Sequence, residues 1–176
     1  FLKKAHNQYF GENALNPMAF KSLKNLEAEV VRMTAEMLHG SEEAVGTMTS
    51  GGTESILMAM KAYRDRAKKK KPWLMSPEVV LPETAHVAFD KAAHYFGLKV
   101  RRAPIDGNGQ VDVQKVAKLI SRKTVLLVGS APQYPHGTVD PIYELGQLAE
   151  RHKIPLHVDA CFGGFMLPWL EKIGVD

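Results

Sequence analysis

The sequence has a single cysteine, Cys161, among 176 residues. No intrachain disulfide can form, and no thiolate-rich metal site can be built. No apolar run approaches the ~18 residues that a membrane-crossing helix needs. Residues 1–10 carry no signal-peptide pattern. The Gly-Lys-Ser/Thr of a Walker loop and the Gly-x-Gly-x-x-Gly of a dinucleotide site are both missing. His86, His94, His157 and Asp159 do not follow a compact metal motif, so no metal is expected. There is no internal repeat, and Lys68–Lys71 is the one low-complexity tract. An initiator Met is lacking too: the chain opens on Phe1 and stops at Asp176, as a piece cut from a longer protein would.

What is present is a globular composition. Apolar residues make up 45% of the chain, enough to fill the core of one domain or most of one. The formal charge is 23 − 19 = +4. Much of that excess sits in Arg64, Arg66 and Lys68–Lys71. Cations at a helix end offset its negative pole, and that is the plainer reading of the run. An anionic membrane surface is an alternative. Nucleic acid is disfavoured, because no aromatic residues interleave the lysines to stack on bases.

Periodicity sets the organisation. Phe20, Leu23, Leu26, Val30, Met33 and Met37 recur at helical steps, with Asn16 as a cap, Pro17 in the first turn and Gly40 as a stop. A second helix follows Ser50-Gly51-Gly52 with Ile56, Ala59, Met60, Tyr63 and Ala67 on one face, ending at the basic run and Pro72. From there strands and helices alternate. Strands are expected at 79–81, 98–103, 124–128 and 154–158, and helices at 85–96, after Asp112, and at 141–152. Apolar strands without alternation, joined by helical crossovers, indicate a largely parallel sheet covered on both faces. The fold class is therefore three-layer α/β. Residues 1–45 read as a helical lead-in, and 46–176 as the ligand-binding part. In such folds ligands sit beyond the carboxyl ends of the strands.

Four segments fall on that edge. Met48–Ser55 joins a glycine turn to a helix start, whose free N–H groups and dipole attract an anion; Ser50 and Thr53 add hydroxyls. An ordinary capped helix would look the same. Asp159 ends an apolar strand, where a carboxylate needs a partner; a protonated ring nitrogen suits it, and so does a following turn. Cys161 could line the underside of a ring or fill a small core gap. His86 lies at a strand-to-helix junction, where an imidazole can cover an aromatic ring, move protons or merely cap the helix. The long segment Ser130–Asp140, stiffened by Pro132 and Pro135, reads as a substrate or cofactor loop or as a rigid crossover.

These segments also carry a likeness. TSGGTESILMAMKAYRDRA at 49–67, AHVAFDKAAHYFG at 85–97, PQYPHGTVDP at 132–141 and IPLHVDACFGGF at 154–165, together with LEAEVVRM at 26–33, resemble the sphingosine-1-phosphate lyases. These belong to the pyridoxal-phosphate-dependent group II decarboxylases of fold type I. The resemblance implies an incomplete transferase-like large domain with pyridoxal 5'-phosphate as cofactor. Gly52 and Thr53 match the positions that hold its phosphate, His86 the histidine stacked on its ring, Asp159 the carboxylate paired with the ring nitrogen, and Cys161 a small residue beneath the ring. His86 and Asp159 match the catalytic positions.

Asn13 and Asn16 fall in the stretch that meets the substrate's polar end, with Asn16 in place of a usual histidine. The lysine that holds the cofactor covalently is expected past Asp176. The implied reaction is cleavage of the C2–C3 bond of a sphingoid-base 1-phosphate to a long-chain aldehyde and phosphoethanolamine. A homodimer is implied; no nucleic-acid partner is expected from the composition, and the location is left open between the cytoplasm and the cytosolic face of a membrane that supplies the lipid substrate. An amino-acid decarboxylase and a non-catalytic α/β fragment are the alternatives.

Overall fold

The computed structural model describes residues 1–12, 15, 16, 18, 19 and 21–174, apart from the side chain of Glu171. Asn13, Pro17 and Phe20, assigned roles above, lie outside the described residues. The chain divides into two units, Phe1–Met48 and Thr49–Asp176.

The first unit holds α1 (Leu2–Tyr9) and α2 (Lys21–Met37). The second of these is the helix foreseen from the spacing of Leu23 to Met37; α1 carried no signal strong enough to foresee. Asn16 acts as a local cap, its Oδ1 accepting the Ala19 N–H at 3.2 Å. The end of the unit is tied back to α2, because Glu27 Oε1 accepts the Met48 N–H at 2.8 Å and the Thr47 hydroxyl at 3.2 Å.

The second unit runs α3 (Gly52–Lys70), β1 (Glu78–Pro82), α4 (Ala88–Phe96), β2 (Lys99–Ala103), α5 (Val113–Leu119), β3 (Thr124–Ser130), α6 (Ile142–His152) and β4 (Leu156–Asp159). Two three-ten turns, Gly163–Phe165 and Leu167–Ile173, follow. The strands form one sheet in the order β2-β1-β3-β4, and all three ladders are parallel.

Successive residues of a strand point to opposite faces, and this divides the core in two. Val79, Leu81, Leu126 and Val128 face α3 and α4, where they pack with Met60, Phe89 and Ala92. Val80 and Leu127 face α5 and α6, packing with Val116, Leu145 and Leu148. Fully burying a Leu or Phe side chain is worth about 1.5–3 kcal/mol, so these two layers carry most of the cohesion. The three-layer α/β architecture thus stands as read from the sequence.

Two details differ. The sheet is not buried throughout: β2 is an edge strand, and its Lys99-Val100-Arg101-Arg102 stretch is only partly covered. The helix expected from Ala85 begins at Ala88. A turn intervenes, in which the Ala85 N–H bonds to the Pro82 carbonyl and His86 Nδ1 accepts the Ala88 N–H at 3.1 Å. That side-chain bond satisfies a donor of the first helical turn, so the helix starts later and His86 is held at its threshold.

Candidate functional site

At the carboxyl ends of the strands a pocket of about 360 Å³ opens between the start of α3 and the end of β4. Thr49, Gly51, Gly52, Ser55, Asp159 and Cys161 line it, with Ile56, His157 and Phe165 completing the wall. A parallel sheet places ligands at this edge because the turns that leave the strands diverge there.

The α3 side is a backbone surface. Gly51 occupies the N-cap position and offers no side chain to the first-turn N–H groups. Those donors and the positive pole of a 19-residue helix therefore face the pocket without a capping side chain at Gly51. Space, not backbone conformation, favours glycine at position 52. A Cβ there would lie 3.3 Å from Cys161 Sγ, tighter than ordinary contact. The Glu54 carboxylate turns back to the Ser50 N–H and hydroxyl, both at 2.6 Å, and these bonds hold its pKa below the usual carboxylate range.

Helical geometry separates the hydroxyls near this pocket. Residues 52, 55 and 56 share a face, whereas 53 is turned about 100° away from 52. The hydroxyls at the pocket are accordingly those of Thr49 and Ser55, bonded to each other at 2.6 Å. Thr53 is not among the lining residues, and Ser50 serves Glu54. The i, i+3 spacing of Gly52 and Ser55 was the signal that could have identified Ser55.

The β4 side supplies the carboxylate. His157 and Asp159 alternate with Val158, so both point to the α3–α4 face. His157 packs edge-on against Phe89 and Tyr63, with ring centroids 5.7 and 6.3 Å away. Burial among these rings disfavours its charged form and lowers its pKa, and the nearby Asp159 carboxylate opposes that shift. Asp159 Oδ1 accepts the Cys161 N–H at 3.3 Å, while its carbonyl accepts the Ala131 N–H at 2.8 Å. The chain then turns sharply at Gly163, where any side chain would collide with the Ala131 carbonyl.

His86 stands at the same sheet edge, after β1, but it does not line this pocket. Its ring meets Tyr134 edge-on at 6.2 Å. With Nδ1 engaged as an acceptor, Nε2 is the free edge of the imidazole. Tyr134 belongs to the loop after β3, held by a buried network the sequence reading missed. Gln133, 1% exposed, receives the His136 N–H on Oε1 at 2.9 Å and donates from Nε2 to the Gly109 carbonyl at 3.2 Å. Asp140, 2% exposed, accepts the Val111 N–H at 3.0 Å and the Ser130 N–H at 2.8 Å. Burial raises the Asp140 pKa, and the two backbone bonds oppose the rise.

Chemically, the pocket pairs an anion-binding helix start with a carboxylate that can hold a protonated ring nitrogen. An anion-attracting helix start and a carboxylate at one edge of a parallel α/β sheet are chemically suited to a phosphorylated heteroaromatic group. Residues 7–174 match the model of the pyridoxal-dependent decarboxylase conserved domain, and the chain belongs to that family. Its cofactor is pyridoxal phosphate.

The chain is 53% identical over 173 residues to sphingosine-1-phosphate lyase 1 of Mus musculus, covering 98% of this chain and 30% of that protein. It is 45% identical over 172 residues to the sphingosine-1-phosphate lyase of Saccharomyces cerevisiae. Among solved structures, the sphingosine-1-phosphate lyase of Burkholderia pseudomallei superposes with a TM-score of 0.92 at 43% identity, over 99% of this chain and 42% of that one. Glutamate decarboxylase of Lactobacillus brevis superposes with a TM-score of 0.84 at 26% identity, over 96% and 42%. The chain thus spans about 30% of the length of the curated relatives it matches.

Proposed function

We propose that the protein is a pyridoxal-phosphate-dependent aldehyde-lyase that cleaves the C2–C3 bond of a sphingoid-base 1-phosphate, releasing a long-chain aldehyde and phosphoethanolamine. The observation that carries this reading is the 53% identity, across nearly the whole chain, to a protein named for that reaction. When bound, the cofactor supplies a positively charged ring that accepts the electrons of the breaking bond.

The pocket suits the cofactor on physical grounds. The first-turn N–H groups of α3, with Thr49 and Ser55, would hold its phosphate, and Gly52 keeps the approach clear. Asp159 would keep the ring nitrogen protonated, since a carboxylate beside a heteroaromatic nitrogen stabilises the charged form. Cys161 would lie under the ring, where its small apolar side chain leaves room. His86 would cover the opposite side and present Nε2 for proton movement, with Tyr134 steadying its ring. Thr53 serves the phosphate only through its backbone N–H in this arrangement. Asn13 and Asn16 would meet the substrate's polar end. No lysine lines the pocket among the described residues. The lysine that anchors the cofactor covalently would lie outside residues 1–176. A homodimer is the proposed assembly, supported by the exposed Leu26, Val30 and Met33 on α2.

The test is product analysis on the complete protein with a sphingoid-base 1-phosphate. Fatty aldehyde and phosphoethanolamine in equal amounts are expected. Carbon dioxide from an amino acid, with no aldehyde from the lipid, would transfer the protein to the decarboxylase reading.

A further inference from the structure

A second cavity of the second unit lies at the opposite edge of the sheet, at the amino ends of β3 and β4. It is an open groove of about 870 Å³. Six permanent cations line it: Arg66, Lys70, Lys71, Arg122, Lys123 and Lys153. They come from α3, from the turn before β3 and from the turn before β4, so the fold gathers charges dispersed along the sequence. No carboxylate lines the groove, and none of the six enters an ion pair among the described residues. Glu78, which reaches Ser121 from behind, is buried and accepts the Ser121 hydroxyl at 2.9 Å.

Helix ends account for part of this charge and no more. The carboxyl ends of α3, α5 and α6 all point here, since Lys71, Ile120 and Lys153 are their C-caps and all three line the groove. Three helix poles supply about −1.5 elementary charges, which six cations exceed by about fourfold. The surplus leaves the groove attractive to an external anion.

Its surroundings identify the kind of anion. Trp73 lines the groove and is 76% exposed, and Met75, two residues on, is 80% exposed. Both sit in the short segment between α3 and β1, flanked by Pro72 and Pro77. An indole and a thioether held out beside a lysine cluster match a bilayer interface, where rings rest among headgroups and lysines meet anionic lipid. Bases of a nucleic acid would need several aromatic platforms; the groove offers Trp73 and the half-covered Tyr63.

We propose that this groove is a docking surface for an anionic phospholipid bilayer. Lys70, Lys71, Arg122, Lys123 and Lys153 engage the headgroups, and Trp73 and Met75 enter the interface. The cofactor pocket lies at the other end of the sheet and stays open to solvent when the groove is engaged. The proposal stands independently of the reaction, because it rests on charge and exposure at this edge alone.

The experiment is sedimentation of the complete holoprotein with vesicles of phosphatidylcholine, with and without phosphatidylserine. Binding is expected only with phosphatidylserine, and it should weaken as salt is raised. Each basic residue near an anionic leaflet strengthens binding about fivefold, so the triple reversal Lys70→Glu, Lys71→Glu, Lys123→Glu should abolish it. Trp73→Ala should weaken it by about tenfold and remove the blue shift of tryptophan emission on binding. Unchanged cofactor absorbance and melting temperature would show that the variants are folded. Equal binding to neutral vesicles would overturn the proposal, as would undiminished binding by the triple variant. So would tighter binding to a short duplex DNA than to vesicles, or lysines at the groove that resist amine labelling in the free protein because another segment covers them.

Discussion

The two edges of the sheet solve the same problem in opposite ways. Both attract anions, and α3 connects them: its 19 residues span about 28 Å, from Gly52 at the cofactor pocket to Lys70 at the basic groove. At the carboxyl edge the positive potential comes from backbone N–H groups, with no lysine or arginine in the lining among the described residues. At the amino edge it comes from formal charges on long, exposed side chains. Backbone donors are fixed in place and impose a geometry, which suits one phosphate held in one orientation. Flexible lysines impose little geometry, which suits a fluid layer of headgroups. The helix dipole alone would make the amino edge repel anions. Six cations reverse that sign, so the basicity there exceeds what helix stability requires.

The sharpest way to break this contrast is at Asp159. In the complete protein, Asp159→Ala should lower turnover by at least about two orders of magnitude, with the fold and vesicle binding retained. Near-normal turnover at saturating cofactor would remove the carboxylate from the site. Next in size is the support beneath the loop after β3. Asp140→Ala leaves the Val111 and Ser130 N–H groups buried without acceptors, and should cost about 2–4 kcal/mol in chemical denaturation. A loss under about 1 kcal/mol would show that water replaces the carboxylate.

A smaller effect tests whether glycine serves by its lack of a side chain. Gly52→Ala should weaken cofactor binding about fivefold, read by fluorescence titration, and adding Cys161→Ala should recover most of the loss by removing the 3.3 Å contact. Independent, additive effects would show that the contact with Cys161 does not cause the loss.

The smallest effect concerns pH. Burial lowers the His157 pKa from its ordinary 6.5, so the unfolded chain binds the proton more readily than the folded one. The stability this contributes is fully present above pH 6.5 and declines as pH falls from there through the folded value. His157→Gln should flatten that part of the stability–pH curve, measured by thermal melting. An unchanged slope would mean that His157 titrates normally.

The strands and helices of the second unit were legible because their patterns are strong. Val79–Leu81 and Thr124–Val128 are short apolar runs between turn signals, and Ala85–Phe96 and Pro141–His152 carry clear helical faces. Where the reading missed, local chemistry had competed with pattern. The bond from the Ala88 N–H to His86 delays α4, and edge position leaves β2 half uncovered although its spacing suits a covered strand. The network of Gln133 and Asp140 left no sequence signal, because its partners, Gly109 and Val111, lie more than twenty positions away.

Periodicity in the sequence determined the parallel α/β class and the edge at which to look, whereas the grouping of Gly52, Asp159 and Cys161 rested on the family resemblance. Tertiary structure decided which hydroxyls face the pocket, where His86 stands, and that cations from three separate segments share one groove. The physical reason is range. Backbone preference and apolar period act over a few residues, whereas a pocket or a field is a sum over atoms that only the packed sheet brings within a few ångströms.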